Sequence, residues 1–282
     1  MIQTIVYGFT IGAILYFFSV GLALTFGTMR IINFAHGMVY AVGVYLFIAF
    51  QKVFDDSFLI SLVASVILML PVAYVIERFV IRRLYGESLD YAIIATYGVL
   101  LIGTDAIKML WGTTSQPVND PVGISIEVAD FGLPVYRIAI FACAVVLFLA
   151  LRLFFKRSII GRIVVAALED SDGVRCLGLD VNKYFSIIFV LGSSLAVLGG
   201  ILYVPISSAE PYMGFNILLL AFAVVIVGGM GNLNGTFVAA LTLGMVMAVT
   251  GRFWSQAANA MVFIVMALVL IWRTTRSTQD SL

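Results

Sequence analysis

The chain has 282 residues, of which 62% are hydrophobic and only 11% charged, and its sixteen Lys and Arg against fifteen Asp and Glu leave a net charge of +1. So few charges cannot cover a soluble protein of this size, whereas a bilayer solvates apolar surface directly, so the composition specifies a polytopic membrane protein. The near-neutral balance excludes a nucleic-acid surface, and Cys143 and Cys176, far apart and in no CxxC, indicate neither a disulfide framework nor a zinc site.

Apolar stretches approaching the roughly 20 residues that cross about 30 Å of hydrocarbon run at 4–28, 36–50, 57–76, 91–112, 135–151, 184–204, 214–230, 236–250 and 259–272. All are expected to be helical, because open sheet edges cannot be satisfied in lipid. The first lacks the basic start and small-residue cleavage site of a signal peptide and is expected to stay as a span. The second is short and follows or opens on the polar Asn33 and His36, which suggests a broken or re-entrant element and leaves the count at eight or nine.

Positive charge orients the bundle. Of the sixteen Lys and Arg, only Lys52, Lys108, Arg137 and Arg252 fall on one side. The rest, including Arg30, Arg78, Arg82, Arg83, Arg157, Arg162, Arg175, Arg273 and Arg276, fall on the other. The positive-inside rule puts the richer side in the cytoplasm, hence N-terminus out and C-terminus in. The connection at about 113–134 carries Asp120, Glu127 and Asp130 with no Lys or Arg, as expected of an external loop. Trp111, Trp254 and Trp272 fall at span ends, where interfacial Trp belongs.

Several polar features lie along this frame. His36, the only histidine, has no second His, no nearby Cys and no neighbouring carboxylate, which argues against a metal and leaves a structural cap or a direct functional role. Glu77 and Arg78 read as an interfacial pair. Asp105 and Lys108, at i and i+3 near the outer interface, read as a local pair. The longest cytoplasmic connection, about 156–183, holds two short helical patterns joined by Glu169-Asp170-Ser171-Asp172, with Ser171 or Asp172 as cap of the second and Gly178 as its end. Its sequence fits a docking surface and a solvated loop equally. Small-residue stripes at Gly192, Ala196, Gly200 and at Ala240, Gly244, Ala248 suit close helix packing. The run Gly228-Gly229-Met230-Gly231-Asn232-Leu233-Asn234-Gly235 reads as a tight turn, since no strand precedes it and Asn234 stands where a GxGxxG needs its last glycine. No GxxxxGK[ST], HExxH or GxSxG occurs, so the chain has no P-loop for ATP and no hydrolase signature.

Four segments in order resemble the permease subunits of ABC importers for branched-chain amino acids, specifically the H-type member of the leucine/isoleucine/valine system. GLALTFGTMRIINFAHGMVYAVGVY (21–45) is similar to the family pattern GLxLxYGxxRxxNFAHGxxxxxGAY nearly end to end. IERFVIRRLYGESLDYAIIATYGV (76–99), GRIVVAALEDSDGVRCLGLDV (161–181) and VVIVGGMGNLNGTFVAALTLG (224–244) resemble three further family segments. Departures occur at Ile81 to Leu84, which lack a proline, at Val165 and Gly173 in the cytoplasmic segment, and at Asn232 to Asn234. Gly173 suggests a late start for the second cytoplasmic helix.

The resemblance implies an all-α ABC importer permease fold, one transmembrane domain over 1–282, in a bacterial inner membrane. It implies a homologous second permease (M-type) or a second copy, two ATPase subunits that handle ATP-Mg while this chain binds no cofactor, and a periplasmic binding protein. It makes Ala166, Glu169, Asp170, Asp172, Arg175 and Gly178 the ATPase-coupling residues. The solute would be a branched-chain or other amino acid, or a related small amide or acid. Asn33, His36 and Gly37 at the second element and Gly228, Gly229 and Gly231 in the glycine run are the candidate pathway residues, because interrupted helices offer backbone groups to a substrate. A stand-alone channel or proton-coupled carrier is the alternative; the latter would place Asp, Glu or His deep in its spans, and here they are nearly absent.

Overall fold

The structure, a computed structural model, describes residues 1–128 and 131–279. Asp130 and the side chain of Arg276 lie outside the described residues. The helices are α1 (Ile2–Met29), α2 (Ala35–Val53), α3 (Phe58–Phe79), α4 (Leu89–Trp111), α5 (Val135–Arg157), α6 (Ile159–Glu169), α7 (Ser171–Cys176), α8 (Val181–Ser207), α9 (Met213–Gly228), α10 (Leu233–Phe253) and α11 (Ala258–Gln279). Short 3-10 turns at Ile81–Leu84 and Ser255–Ala257 lead out of α3 and into α11. Eight helical segments are long and apolar enough to cross a membrane, and α9, with 16 residues, is a shorter apolar helix. Each of the nine apolar stretches of the sequence corresponds to one of these helices.

One expectation is corrected. The second element is one unbroken 19-residue helix. The interruption lies before it, where Arg30 closes α1 in the left-handed region (φ 54) and its N–H bonds to the Phe26 carbonyl. The connection between α4 and α5 carries two short strands, β1 (Ser125–Val128) and β2 (Phe131–Pro134), which pair antiparallel with Ile126 opposite Leu133.

α1, α2 and α8 form the buried centre, while α3, α4, α5, α10 and α11 turn most of their surface outward. α1 packs on α8, α9 and α10; α2 packs on α3, α4, α8 and α9. Contacts across the chain register the helix ends. Arg252 at the end of α10 donates to Thr4 at the start of α1 (2.9 Å), and Gln116 exchanges backbone bonds with Ala209 (2.9 and 2.8 Å). At the opposite end, Arg273 of α11 donates to the carbonyls of Ile226 and Val227 (3.3 and 2.7 Å). The α6–α7 connection belongs to this second end.

Candidate translocation pathway and coupling surface

The link between α1 and α2 is held from α4. The N–H of Phe34 donates to Thr96 Oγ1 (3.1 Å), and that hydroxyl donates to the Ala92 carbonyl one turn back (2.7 Å). Asn33, 1% exposed, has no hydrogen-bond partner among the described residues for either amide atom. His36 is fully buried. Its Nε2–H donates to the Phe18 carbonyl (3.2 Å), which fixes the tautomer, and its ring meets Phe18 edge-on with centroids 4.7 Å apart. Nδ1 has no partner among the described residues, nor do the buried hydroxyls of Ser19, Tyr40 and Ser193.

These groups border backbone-to-backbone crossings. A Cβ on Gly37 would lie 2.6 Å from the Gly214 carbonyl oxygen of α9, and one on Gly21 would lie 2.9 Å from His36 Cε1 while colliding with the Gly192 carbonyl of α8. Hydrogen at these positions is what lets four helices meet without side chains between them. Asn33, His36 and Gly37 are thus brought together as a polar seam inside the subunit.

The glycine run lies elsewhere, at the end that carries α6 and α7. Gly228 sits against Gly235 and Thr236, and a Cβ there would come 2.7 Å from the Gly235 backbone. Gly229 and Gly231 take φ of 91° and 78°, a turn that side chains disfavour, and Asn232 caps α10 by accepting from the Gly235 N–H (3.0 Å). The tight-turn reading is borne out. Gly231 also lines a cavity of about 860 Å³ with Arg30, Ile31, Leu84, Glu87 and Met230. His36 is not among its walls, so the two sets of candidate residues form two places rather than one site.

One polar network was not legible as such. Glu77, fully buried, does not pair with Arg78: it accepts from Arg82 Nε and Nη2 (both 3.2 Å) and from the Tyr85 hydroxyl (2.9 Å). Arg82 also donates to Ser186 Oγ of α8, which in turn donates to the Asn182 carbonyl (2.9 Å). Burial, then the Glu77 carboxylate, raises the Tyr85 hydroxyl above its ordinary range, keeping it a donor. The i, i+5 spacing of Glu77 and Arg82 does not meet on a straight helix; it meets here because α3 gives way to the 3-10 turn. That break was the missing signal. The Asp105–Lys108 pair forms as expected (2.9 Å), with Lys108 over the Tyr212 ring (4.4 Å).

The α6–α7 element is built by successive caps. Ser158 Oγ accepts from the Gly161 N–H (2.9 Å) at the start of α6. Asp170 caps α7 by accepting from Asp172 and Gly173 N–H (3.1 and 2.9 Å), and Asp180 caps α8 through Asn182 and Lys183. The cap is therefore Asp170 rather than Ser171 or Asp172. Nor does Gly173 delay the helix, since a Cβ there would collide with the Asp170 carboxylate. Gly178 follows the end of α7 at φ 79°. Val164, Ala167 and Val174 are buried toward the bundle. Ala166, Glu169, Asp170, Asp172, Arg175 and Gly178 are exposed, and with Leu177, 78% exposed, they make one surface pointing away from it.

Comparison with known proteins agrees with this layout. A family model described as branched-chain amino acid transport system / permease component matches residues 4–272. The chain is 29% identical to the high-affinity branched-chain amino acid transport system permease protein BraD of Pseudomonas aeruginosa, over 97% of this chain and 94% of that protein. It is 26% identical to the corresponding permease protein LivH of Escherichia coli, over 96% and 92%. Among solved structures, PsaBC from Streptococcus pneumoniae in complex with Fab shares the fold, with a TM-score of 0.51 at 12% identity, over 94% of this chain and 88% of that one.

Proposed function

Because the chain belongs to the branched-chain amino acid transport system permease family, and so is the membrane-spanning subunit of an ATP-driven importer rather than an enzyme, we propose that it moves a branched-chain or similar small amino acid into the cell. The chain acts as a single transmembrane domain with its N-terminus outside and the α6–α7 end in the cytoplasm of a bacterial inner membrane. A homologous permease or a second copy completes the membrane pathway. A periplasmic binding protein delivers solute to the outer end. Two ATPase subunits bind ATP-Mg and dock on Ala166, Glu169, Asp170, Asp172, Arg175 and Gly178.

The observation that carries this reading is the exposed α6–α7 surface, which a four-residue turn from Leu177 to Asp180, ending on the Asp180 cap, joins to α8. A push on α7 is delivered to a helix that crosses the whole bundle. ATP closure can drive transport only if it favours one membrane conformation over another, and α8 meets α1 at the Gly21–Gly192 crossing and the 3-10 turn after α3 through Ser186–Arg82. The seam of Asn33, His36 and Gly37 then serves the solute when α1, α2 and α8 part, while Gly228, Gly229 and Gly231 shape the inner mouth.

The test is ATP hydrolysis by the complex purified through this subunit, with and without binding protein and candidate amino acids. Two ATPases that co-purify and respond to one loaded binding protein support the reading. A chain that purifies alone and conducts solute without nucleotide overturns it in favour of a channel.

A further inference from the structure

We propose that the 860 Å³ cavity at the inner end is a binding site for zwitterionic amino acids, in which Arg30 holds the α-carboxylate and Glu87 the α-ammonium group. The inference rests on the amino-acid reading above and gives that solute a place. The volume falls within the roughly 300–1,000 Å³ of small-molecule sites. Three links frame it: the end of α1, the turn leading into α4, and the Met230-Gly231 turn.

Its lining carries one cation and one anion, Arg30 and Glu87, both exposed. Among the described residues the ion pairs are Glu77–Arg82, Asp105–Lys108 and Asp172–Arg175. Arg30 and Glu87 therefore line one cavity without pairing with each other or with any other described side chain. Arg30 is presented there by the left-handed turn that closes α1, a conformation rare for a residue with a side chain. Ile31, Leu84, Leu89 and Met230 supply apolar wall in the same cavity.

A cation and an anion in one cavity with apolar wall match a molecule with one carboxylate, one ammonium and an apolar side chain on the same carbon. The guanidinium can take the carboxylate through two parallel N–H donors. A solute with a second carboxylate or a second ammonium would meet a like charge or leave one group unpaired, and a neutral amide would use neither charge. The site opens at the α6–α7 end, so it is filled from the compartment that receives the solute. Accumulated amino acid would occupy it and hold the subunit in the conformation that exposes it, opposing the next cycle.

The experiment uses the complete complex, with both ATPases and the binding protein, in proteoliposomes importing labelled leucine. The lumen is preloaded with leucine, with 4-methylpentanoate, which lacks the ammonium, or with isopentylamine, which lacks the carboxylate. Each variant's rate is referred to its own rate with an empty lumen. In the wild type, lumenal leucine inhibits and each analogue is at least tenfold weaker. In Glu87→Gln the half-inhibiting leucine concentration rises at least tenfold, toward that of 4-methylpentanoate; in Arg30→Gln it rises toward that of isopentylamine. Where Arg30→Gln fails to assemble, Glu87→Gln and Arg30→Lys carry the comparison. Wild-type import without lumenal inhibition, or inhibition unchanged in the variants, overturns the site and leaves the amino-acid reading standing. A wild-type complex that imports no amino acid overturns both.

Discussion

Replacing Glu77 by Ala tests whether the buried network at the C-terminal end of α3 holds the bundle together. The substitution removes the acceptor of two guanidinium bonds and of the Tyr85 hydroxyl. Removing one member of a buried ion pair costs about 3–5 kcal/mol when both members are enclosed. The Arg82 side chain keeps 24% of its exposure, so water recovers part of its charge and about 2–3 kcal/mol remains. For a chain of this size that corresponds to a fall of about 5–10 °C in the unfolding midpoint, readable by fluorescence-detected thermal shift in detergent. Glu77→Gln, which keeps the volume and loses the charge, is expected to fall by about half as much. Arg78→Ala is the control and is expected to be silent, because Arg78 takes no part in the network. A Glu77→Ala midpoint within about 1 °C of wild type, or an Arg78→Ala loss equal to it, refutes the reasoning.

Gly21→Leu is expected to abolish recovery of folded protein, measured by size-exclusion profile, because the Gly192 backbone cannot retreat from a side chain there. Asp170→Ala removes the cap of α7 at about 1 kcal/mol; ATPase co-purification should drop while the midpoint of the permease moves little, and unchanged co-purification would count against the docking role. His36→Ala is expected to lower the rate of solute uptake at matched expression, and full transport by that variant would remove His36 from the pathway. Tyr85, whose hydroxyl is held protonated when folded, contributes stability that is complete below the pH near 10 where a free tyrosine ionises and declines above it. Tyr85→Phe should flatten that alkaline decline in a midpoint-against-pH series.

The nine apolar helices were legible because each needs only length and apolar composition, and lipid forbids the alternatives. The α6–α7 element was legible in outline from Glu169 to Gly178, but its cap was displaced by one residue: Ser171, Asp172 and Asp170 are all competent caps by residue type, and the fold uses Asp170. The break near Asn33 and His36 was also visible, yet its position was shifted, since Asn33 lies in the link before the second helix and His36 is buried in that helix's first turn. The Glu77–Arg82–Ser186 network was not legible, because it depends on a change from α to 3-10 geometry and on a partner 104 residues from Arg82. Arg30 and Glu87 were invisible as a pair for the same reason: sequence spacing carries no record of a shared cavity.

The reach of Arg273 to α9 bears on how the chain is made. α9 is 16 residues long, about 24 Å at 1.5 Å per residue, short of a full crossing, and its last carbonyls have no partners within the helix. Two of them, on Ile226 and Val227, are met by an arginine 47 and 46 residues later. The end of α9 is therefore tied to the last helix, and α9, α10 and α11 close on one another only once α11 has been made. Nonsense or frameshift lesions that delete only the last few turns would then strand a helix far upstream of the damage.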